Sequence, residues 1–330
     1  MRPLRILTWH VHGSYLRYLA NAPHTFVVPV REGRPPGYAG KPPDWPDNVE
    51  EIHADDVRRA SFDVVITQSR RNWEVDRHEA LSASQRNLPT IAIEHDPPRR
   101  SPTEEPHYVD DPSALLVHVT HFNRLMWDNG RTPTLVIEHG VVVPDDVRYS
   151  GERPRGVVVV NNLGARDRRV GPDVFERVRR DVPLDLYGMD AERLGGVGEV
   201  SWPELARVEA TYRFFFNPIR WTSLGLAVCE AMMLGMPVVG LATTAMATTI
   251  ENGVTGYVDL DERELVRHMR RLLRDPAEAA ALGAEARRAA ERRFGIGRFV
   301  ADWDRALRLV TGMPTRSARR TVADLAEVPG

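Results

Sequence analysis

The stretch FNPIRWTSLGLAVCEAMMLGMPVVGLATTAMATTIENGVTGYVD, residues 216–259, decides the fold. It reads as the end of a strand at Phe214–Asn217, a glycine-bearing turn at Ser223-Leu224-Gly225 and a helix over Leu224–Leu234. Gly235 and Pro237 close that helix, and Pro237-Val238-Val239-Gly240 starts the next strand. A glycine turn feeding a helix is a ready anion site, because free backbone N–H groups and the helix dipole both point into it. Glu230 falls about two turns into the helix, where a carboxylate can accept from vicinal hydroxyls. An anion site beside a diol acceptor is what a nucleotide diphosphate needs.

The same alternation runs outward in both directions. Before the quoted stretch, short apolar runs predict strands at Leu4–Thr8, Thr25–Val30, Val64–Thr67, Thr90–Glu94, Ala114–Val119 and Thr134–Glu138. Helix-like segments such as Ser82–Arg86 and His121–Asp128 lie between several of them, which predicts a parallel sheet flanked by helices. Residues 31–49 and 97–112 carry Pro, Gly and charge without periodicity and read as long loops. A charged, Gly- and Pro-bearing stretch at Pro144–Gly156 marks a domain boundary. Beyond it Val157–Val160 and Leu184–Tyr187 restart the strand pattern, with a helix at Asp173–Arg180. Leu265–Arg274, Ala277–Arg293 and Phe299–Val310 read as helices, the first two amphipathic with arginines facing solvent. The expected division is 1–150, 151–310 and a C-terminal tail at 311–330.

Composition narrows the function classes. At 330 residues the chain has room for about two domains. Its 42% apolar and 27% charged residues are those of a soluble globular protein. A net charge of −2 gives no global attraction to nucleic acid. Lys41 is the only lysine among 44 basic residues, so a phosphate clamp in the second half must use arginine or backbone. The single cysteine, Cys229, excludes an intrachain disulfide and reads as a buried thiol. The N-terminal apolar run is short and broken by histidines, and no run of about 18 apolar residues exists. A cytoplasmic location without a transmembrane segment is therefore expected.

The quoted stretch resembles the donor-binding segment of retaining glycosyltransferases of the GT-B fold, in the large group called family 4. That pattern runs Pro-Ser-Arg-aromatic-Glu-Gly-Phe-Gly-Leu, then Glu-Ala-Met, Gly-x-Pro-Val-Val and Asn/Asp-Gly-x-x-Gly. Pro218, Arg220-Trp221, Gly225-Leu226, Glu230-Ala231-Met232, Gly235, Pro237-Val238-Val239 and Asn252-Gly253-Val254-Thr255-Gly256 fall in that order. One position departs: the family usually carries a glutamate eight residues before Glu230, where this chain has Thr222. Leu88–Asp96 is similar to the family's Pro-x-Val-x-x-x-His-Asp, and Leu135–Val141 to its Val-Ile-x-Asn-Gly-Val. The resemblance spans roughly residues 88–310.

The resemblance implies two Rossmann-like domains facing across a crevice, the second holding a nucleotide-sugar donor and the first an acceptor. It implies a retaining transfer to a hydroxyl of a glycan, lipid or small molecule, with no cofactor and no essential metal. Peripheral membrane contact is compatible with it, and no nucleic acid is implied. By this resemblance Glu230 accepts from the donor ribose, and the amides of Thr222, Ser223, Leu224 and Gly225 approach the β-phosphate and sugar. His95 matches the histidine that touches the donor sugar, so His95 and Thr222 are the expected residues at the reaction centre. The family's phosphate-clamping cations fall in the loop 161–171, where Asn162, Arg166 and Arg169 are the candidates.

Two further positions are read from the residues themselves. Gly13 follows the first strand, where a glycine lets backbone amides approach phosphate. Arg220 precedes the helix turn and suits either a phosphate contact or a structural salt bridge. His10 and His12 alternate on one face without a third ligand in view, which argues against a metal. Thr222 keeps two other readings open: a binding protein without turnover, and another GT-B enzyme such as a nucleotide-sugar epimerase.

Overall fold

The computed structural model describes residues 2–312 apart from Asp44 and Pro203. Most of the expected tail therefore lies outside the described residues. The chain forms two compact units, Met1–Gly140 with Ile296–Gly330, and Val141–Gly295.

Unit 1 holds seven parallel strands: β1 Arg5–Thr8, β2 Thr25–Val30, β3 Val49–His53, β4 Val64–Thr67, β5 Thr90–Glu94, β6 Leu115–His118 and β7 Thr134–Val136. Their order is β3-β2-β1-β4-β5-β6-β7. The sheet order reverses between β1 and β4, and in such sheets ligands bind beyond the carboxyl ends at that switch. β1, β4, β5 and β6 are almost wholly buried, as parallel strands covered on both faces must be. β3 was not expected. It is an edge strand whose Glu50 and Glu51 face outward, and its inward Val49 is too little apolar sequence to announce it.

Unit 2 holds five parallel strands: β8 Arg153–Val159, β9 Leu184–Tyr187, β10 Tyr212–Asn217, β11 Val238–Leu241 and β12 Gly256–Asp259. Their order is β12-β11-β10-β8-β9, so the switch lies between β8 and β10. β10 is buried along its whole length. Removing Phe214, Phe215 and Phe216 from water contributes about 1.5–3 kcal/mol each.

Nine helices are described: α1 Gly13–Leu19, α2 Arg77–Ala80, α3 His121–Met126, α4 Pro172–Val178, α5 Glu204–Glu209, α6 Leu226–Leu234, α7 Glu262–Arg274, α8 Pro276–Phe294 and α9 Ile296–Thr311. α6 ends as expected. Gly235 is left-handed at φ 90, its N–H bonds to Met232 O at 3.0 Å, and Met236 N–H bonds to Ala231 O at 3.0 Å. Cys229 is fully buried on this helix. The solvent-facing arginines of α7 are matched locally, Arg263 by Asp261, Arg267 by Glu264, Arg270 by Asp181 and Arg271 by Glu278. Exposed pairs of this kind add about 0–1 kcal/mol each. No helix among the described residues is long and apolar enough to cross a membrane.

The first crossing between units falls at Gly140, earlier than the expected 150, and α9 returns to unit 1 although the expected bounds placed it with the second domain. Local packing accounts for the return. A Cβ on Gly140 would collide with the Phe299 ring, so only glycine lets α9 lie this close. Arg298 donates to the carbonyls of Glu138 (2.8 Å) and His139 (2.5 Å). Trp303 Nε1 donates to Tyr15 Oη at 3.1 Å, deep in the core.

Candidate active site

In unit 2 the two loops at the switch point are tied into one platform. The loop after β8 carries Asn162, Arg166 and Arg169, and the loop after β10 carries Arg220 and the turn Thr222–Gly225. The amides of Arg220 and Trp221 both donate to Arg169 O, at 2.9 and 3.1 Å. Gly171 is left-handed at φ 82, and a Cβ there would collide with the Pro218 carbonyl oxygen. Glycine is therefore required where the two loops meet.

Arg220 resolves as a salt bridge. Its Nη1 and Nη2 donate to Asp173 Oδ1 and Oδ2 at 2.6 and 2.7 Å, and Nη1 also reaches Arg168 O at 2.8 Å. Arg220 first, then Arg177 and Arg168, hold the Asp173 carboxyl well below the usual range. Arg169 is mostly buried and has Nε 3.5 Å from Asp167 Oδ1, while Arg166 is exposed. Asn162 takes a positive φ of 55, a conformation that asparagine tolerates better than most residues.

The turn ahead of α6 ends at Gly225, with φ 87 and ψ 131, and no side chain caps the helix. α7 and α8 differ: Asp261 and Asp275 accept their first amides, from Arg263 and Glu278, at 2.9 Å each. α6 therefore presents its positive end bare of a side-chain cap. Ser223 and Leu224 are buried, whereas Thr222 and Gly225 are half-buried. Thr244 Oγ1 donates to Ser223 O at 3.1 Å and steadies the turn. Glu230 is half-buried just over one turn into α6, nearer the helix start than expected because the helix begins at Leu226. Behind it, Glu209 on α5 is 2% exposed. Burial, and then the charge of Glu230, push the Glu209 carboxyl well above its usual range. Sequence reading missed Glu209, because its importance comes from burial beside a residue distant in the chain.

In unit 1 the matching position is a pocket of about 340 Å³ at the carboxyl ends of β1, β4 and β5. His12, Gln68, Glu94 and His95 line it. The His95 ring lies 4.0 Å from that of His12 and 4.8 Å from Tyr15, and its enclosed Nε2 has no hydrogen-bond partner. Burial, reinforced by His12 and His139, holds His95 well below the ordinary histidine value, so the ring is neutral at pH 7. Glu94 accepts from the Asp96 amide at 2.8 Å and from His107 Nε2 at 3.0 Å. The Val109 amide donates to His107 Nδ1, which places the His107 proton on Nε2. Gly13 opens α1, where a Cβ would meet His10 Nε2 at 2.7 Å. That close approach accounts for the glycine without a ligand. His10 bonds to Gly40 O at 2.6 Å while His12 stacks on His95, so the two histidines part company. Among the described residues no cluster has the makings of a metal site. Gln68, directly after β4, was also missed; the strand-end rule that located His95 would have found it.

Comparison with known proteins agrees with this architecture. Residues 171–275 match the family model described as Glycosyl transferases group 1. No relative among the curated proteins matches this sequence. Among solved structures, sucrose-phosphate synthase from Thermosynechococcus elongatus superposes with a TM-score of 0.67 at 16% identity, covering 94% of this chain and 100% of its own. Anabaena Alr3699/HepE, solved in complex with UDP and glucose, gives 0.65 at 14% identity, covering 92% and 99%. A glycosyltransferase from Rickettsia africae gives 0.65 at 12% identity, covering 94% and 99%. The chain has the GT-B fold, and the unit that carries the uncapped helix and Glu230 is, over residues 171–275, a glycosyl transferases group 1 domain.

Proposed function

We propose that the protein is a retaining glycosyltransferase that moves a sugar from a nucleotide-diphosphate sugar to an acceptor hydroxyl. The observation that carries the reading is the platform at the unit 2 switch point. Two strand-end loops are locked together there, in front of a helix start that no side chain caps, with Glu230 one turn behind. In this reading the α6 amides and the cations of the loop after β8 take up the charge that grows on the leaving diphosphate. Glu230 accepts from the ribose hydroxyls, and no essential metal is required. The bond from the sugar C1 to the phosphate oxygen breaks, and a bond from C1 to the acceptor oxygen forms on the same face. The acceptor proton passes to the departing phosphate, so no protein nucleophile is needed. Arg220 keeps the platform rigid from its bridge to Asp173 and contacts the donor less than Arg166 or Arg169 does. His95, neutral at pH 7, hydrogen-bonds the transferred sugar and carries no charge to it.

Thr222 favours the second reading, a protein that binds a nucleotide sugar without turning it over. One experiment separates the two. Purified protein is screened by thermal shift against UDP-, GDP-, ADP- and dTDP-sugars. A ligand at a hundredfold its Kd adds about 2.7 kcal/mol of stability. The stabilising donor is then followed by NMR for transfer or hydrolysis, with and without EDTA. A product that keeps the donor's anomeric configuration, formed equally in EDTA, supports the proposal. Binding without turnover selects the second reading, and no stabilisation by any donor refutes both.

A further inference from the structure

The unit 1 pocket holds a buried acceptor atom that the protein itself does not use. Gln68 is 2% exposed, and its Nε2 donates to Trp9 O at 3.0 Å and to Thr8 Oγ1 at 3.3 Å. A carbonyl must be met by a donor, so the amide cannot be turned round, and Oε1 is left enclosed without a partner. Buried amide oxygens are nearly always paired, and an orphan is costly. Gln68 lines the pocket, as does His95, whose enclosed Nε2 is also unpartnered.

The remaining lining says what would satisfy it. The pocket wall contains no Leu, Ile, Val or Met; its apolar surface is Pro97 with the rings of Tyr108 and Trp127. A lipid tail has nothing aliphatic to lie against. The carboxylates are already engaged: Glu94 by His107 Nε2 and the Asp96 amide, Asp96 by Arg99, and Glu105 by the amides of Arg99 and Arg100 at 2.9 and 2.7 Å. What remains is ring surface, engaged carboxylates and an orphan acceptor in about 340 Å³, the low end of the range of roughly 300–1,000 Å³ seen for ligand sites.

We propose that this pocket receives a polyhydroxylated ring, a sugar or cyclitol, and that Gln68 is its specificity-determining residue, accepting one ring hydroxyl on Oε1. The inference rests on reading unit 1 as the acceptor half. It names the acceptor by chemistry, a neutral polyol in place of a lipid.

The test uses the full chain with isotope-labelled histidine, and follows the His12 and His95 ring resonances. Methyl α-glucoside and myo-inositol are titrated against dodecyl phosphate as the lipid-like alternative. The polyols are expected to shift both rings saturably. One member of the monodeoxy methyl glucoside series, the one lacking the hydroxyl that Oε1 reads, is expected to bind about three- to tenfold more weakly, the loss of one hydrogen bond. Gln68→Met is expected to abolish that discrimination, which a merely structural role would leave intact. Gln68→Asn, which withdraws the amide by one methylene, serves the same purpose where the Met variant does not fold. Silence to every polyol, a response to dodecyl phosphate alone, or discrimination that survives the substitution overturns the proposal. UDP is titrated in parallel. UDP binding without a polyol response sinks the pocket assignment and spares the transfer reading. A polyol response without binding of any nucleotide does the reverse.

Discussion

His139 sets an acid limit on unit 1 that can be worked out in advance. The residue is 4% exposed, and neither ring nitrogen has a hydrogen-bond partner. Burial, helped by the Arg298 guanidinium and opposed by Glu138, pushes its pKa down to about 4. The unfolded chain regains an ordinary value near 6.5 and takes up the proton first as the pH falls. The folded state thus holds its full stability above pH 6.5 and loses it between 6.5 and about 4. Integrating between those values gives a loss of about 2 kcal/mol by pH 5 and about 3 kcal/mol at completion. His139→Leu removes the titration. The assay is urea unfolding at pH 7.5 and pH 5.0, followed by the fluorescence of Trp9, Trp45, Trp73, Trp127 and Trp303, which all belong to unit 1. The variant should lose about 2 kcal/mol less than the parent between the two pH values. A residual slope will persist, because burial pushes His118 to about 3 in the same unit. Equal losses in parent and variant would refute the argument, whatever the variant's stability at neutral pH.

Three other outcomes are expected. Glu230→Gln should weaken nucleotide binding by about 1.5–3 kcal/mol, the worth of hydrogen bonds to a charged group, as read by calorimetry; an unchanged Kd would remove this helix from the donor site. Gly171→Ala forces a left-handed alanine into the Pro218 carbonyl and should destabilise unit 2 by at least about 2 kcal/mol, visible as a lower unfolding midpoint. Glu209→Gln should stabilise unit 2 increasingly as the pH rises above about 4.5. The parent carboxyl, raised by burial and by Glu230, is favourable when protonated and loses that contribution as it ionises. A variant whose stability follows the parent's at every pH would show that Glu209 ionises normally.

Much of the fold was legible, and the residues say why. Val64–Thr67, Thr90–Glu94 and Leu184–Tyr187 were expected with the bounds they have, because a strand buried on both faces is a continuous apolar run. β12 was not, because it starts inside the Asn-Gly-x-x-Gly pattern and reads as a turn. In the site, strand-end position was readable and side-chain partnership was not. Arg220 had two readings of equal standing, and Asp173, far back in the chain, settles its geometry. Gln68 and Glu209 look like ordinary polar residues until packing denies them water.

The return of α9 to unit 1 bears on how the chain is made. Unit 2 is one uninterrupted span, so all of it leaves the ribosome before α9 does. Unit 1 is synthesised first, yet the Tyr15 and Gly140 surfaces stay bare until Phe299 and Trp303 emerge. Domains commonly complete in order of synthesis. Here the order is inverted: the half that begins the chain is the last to close, and a nascent chain stalled before residue 296 exposes an open aromatic seam to chaperones.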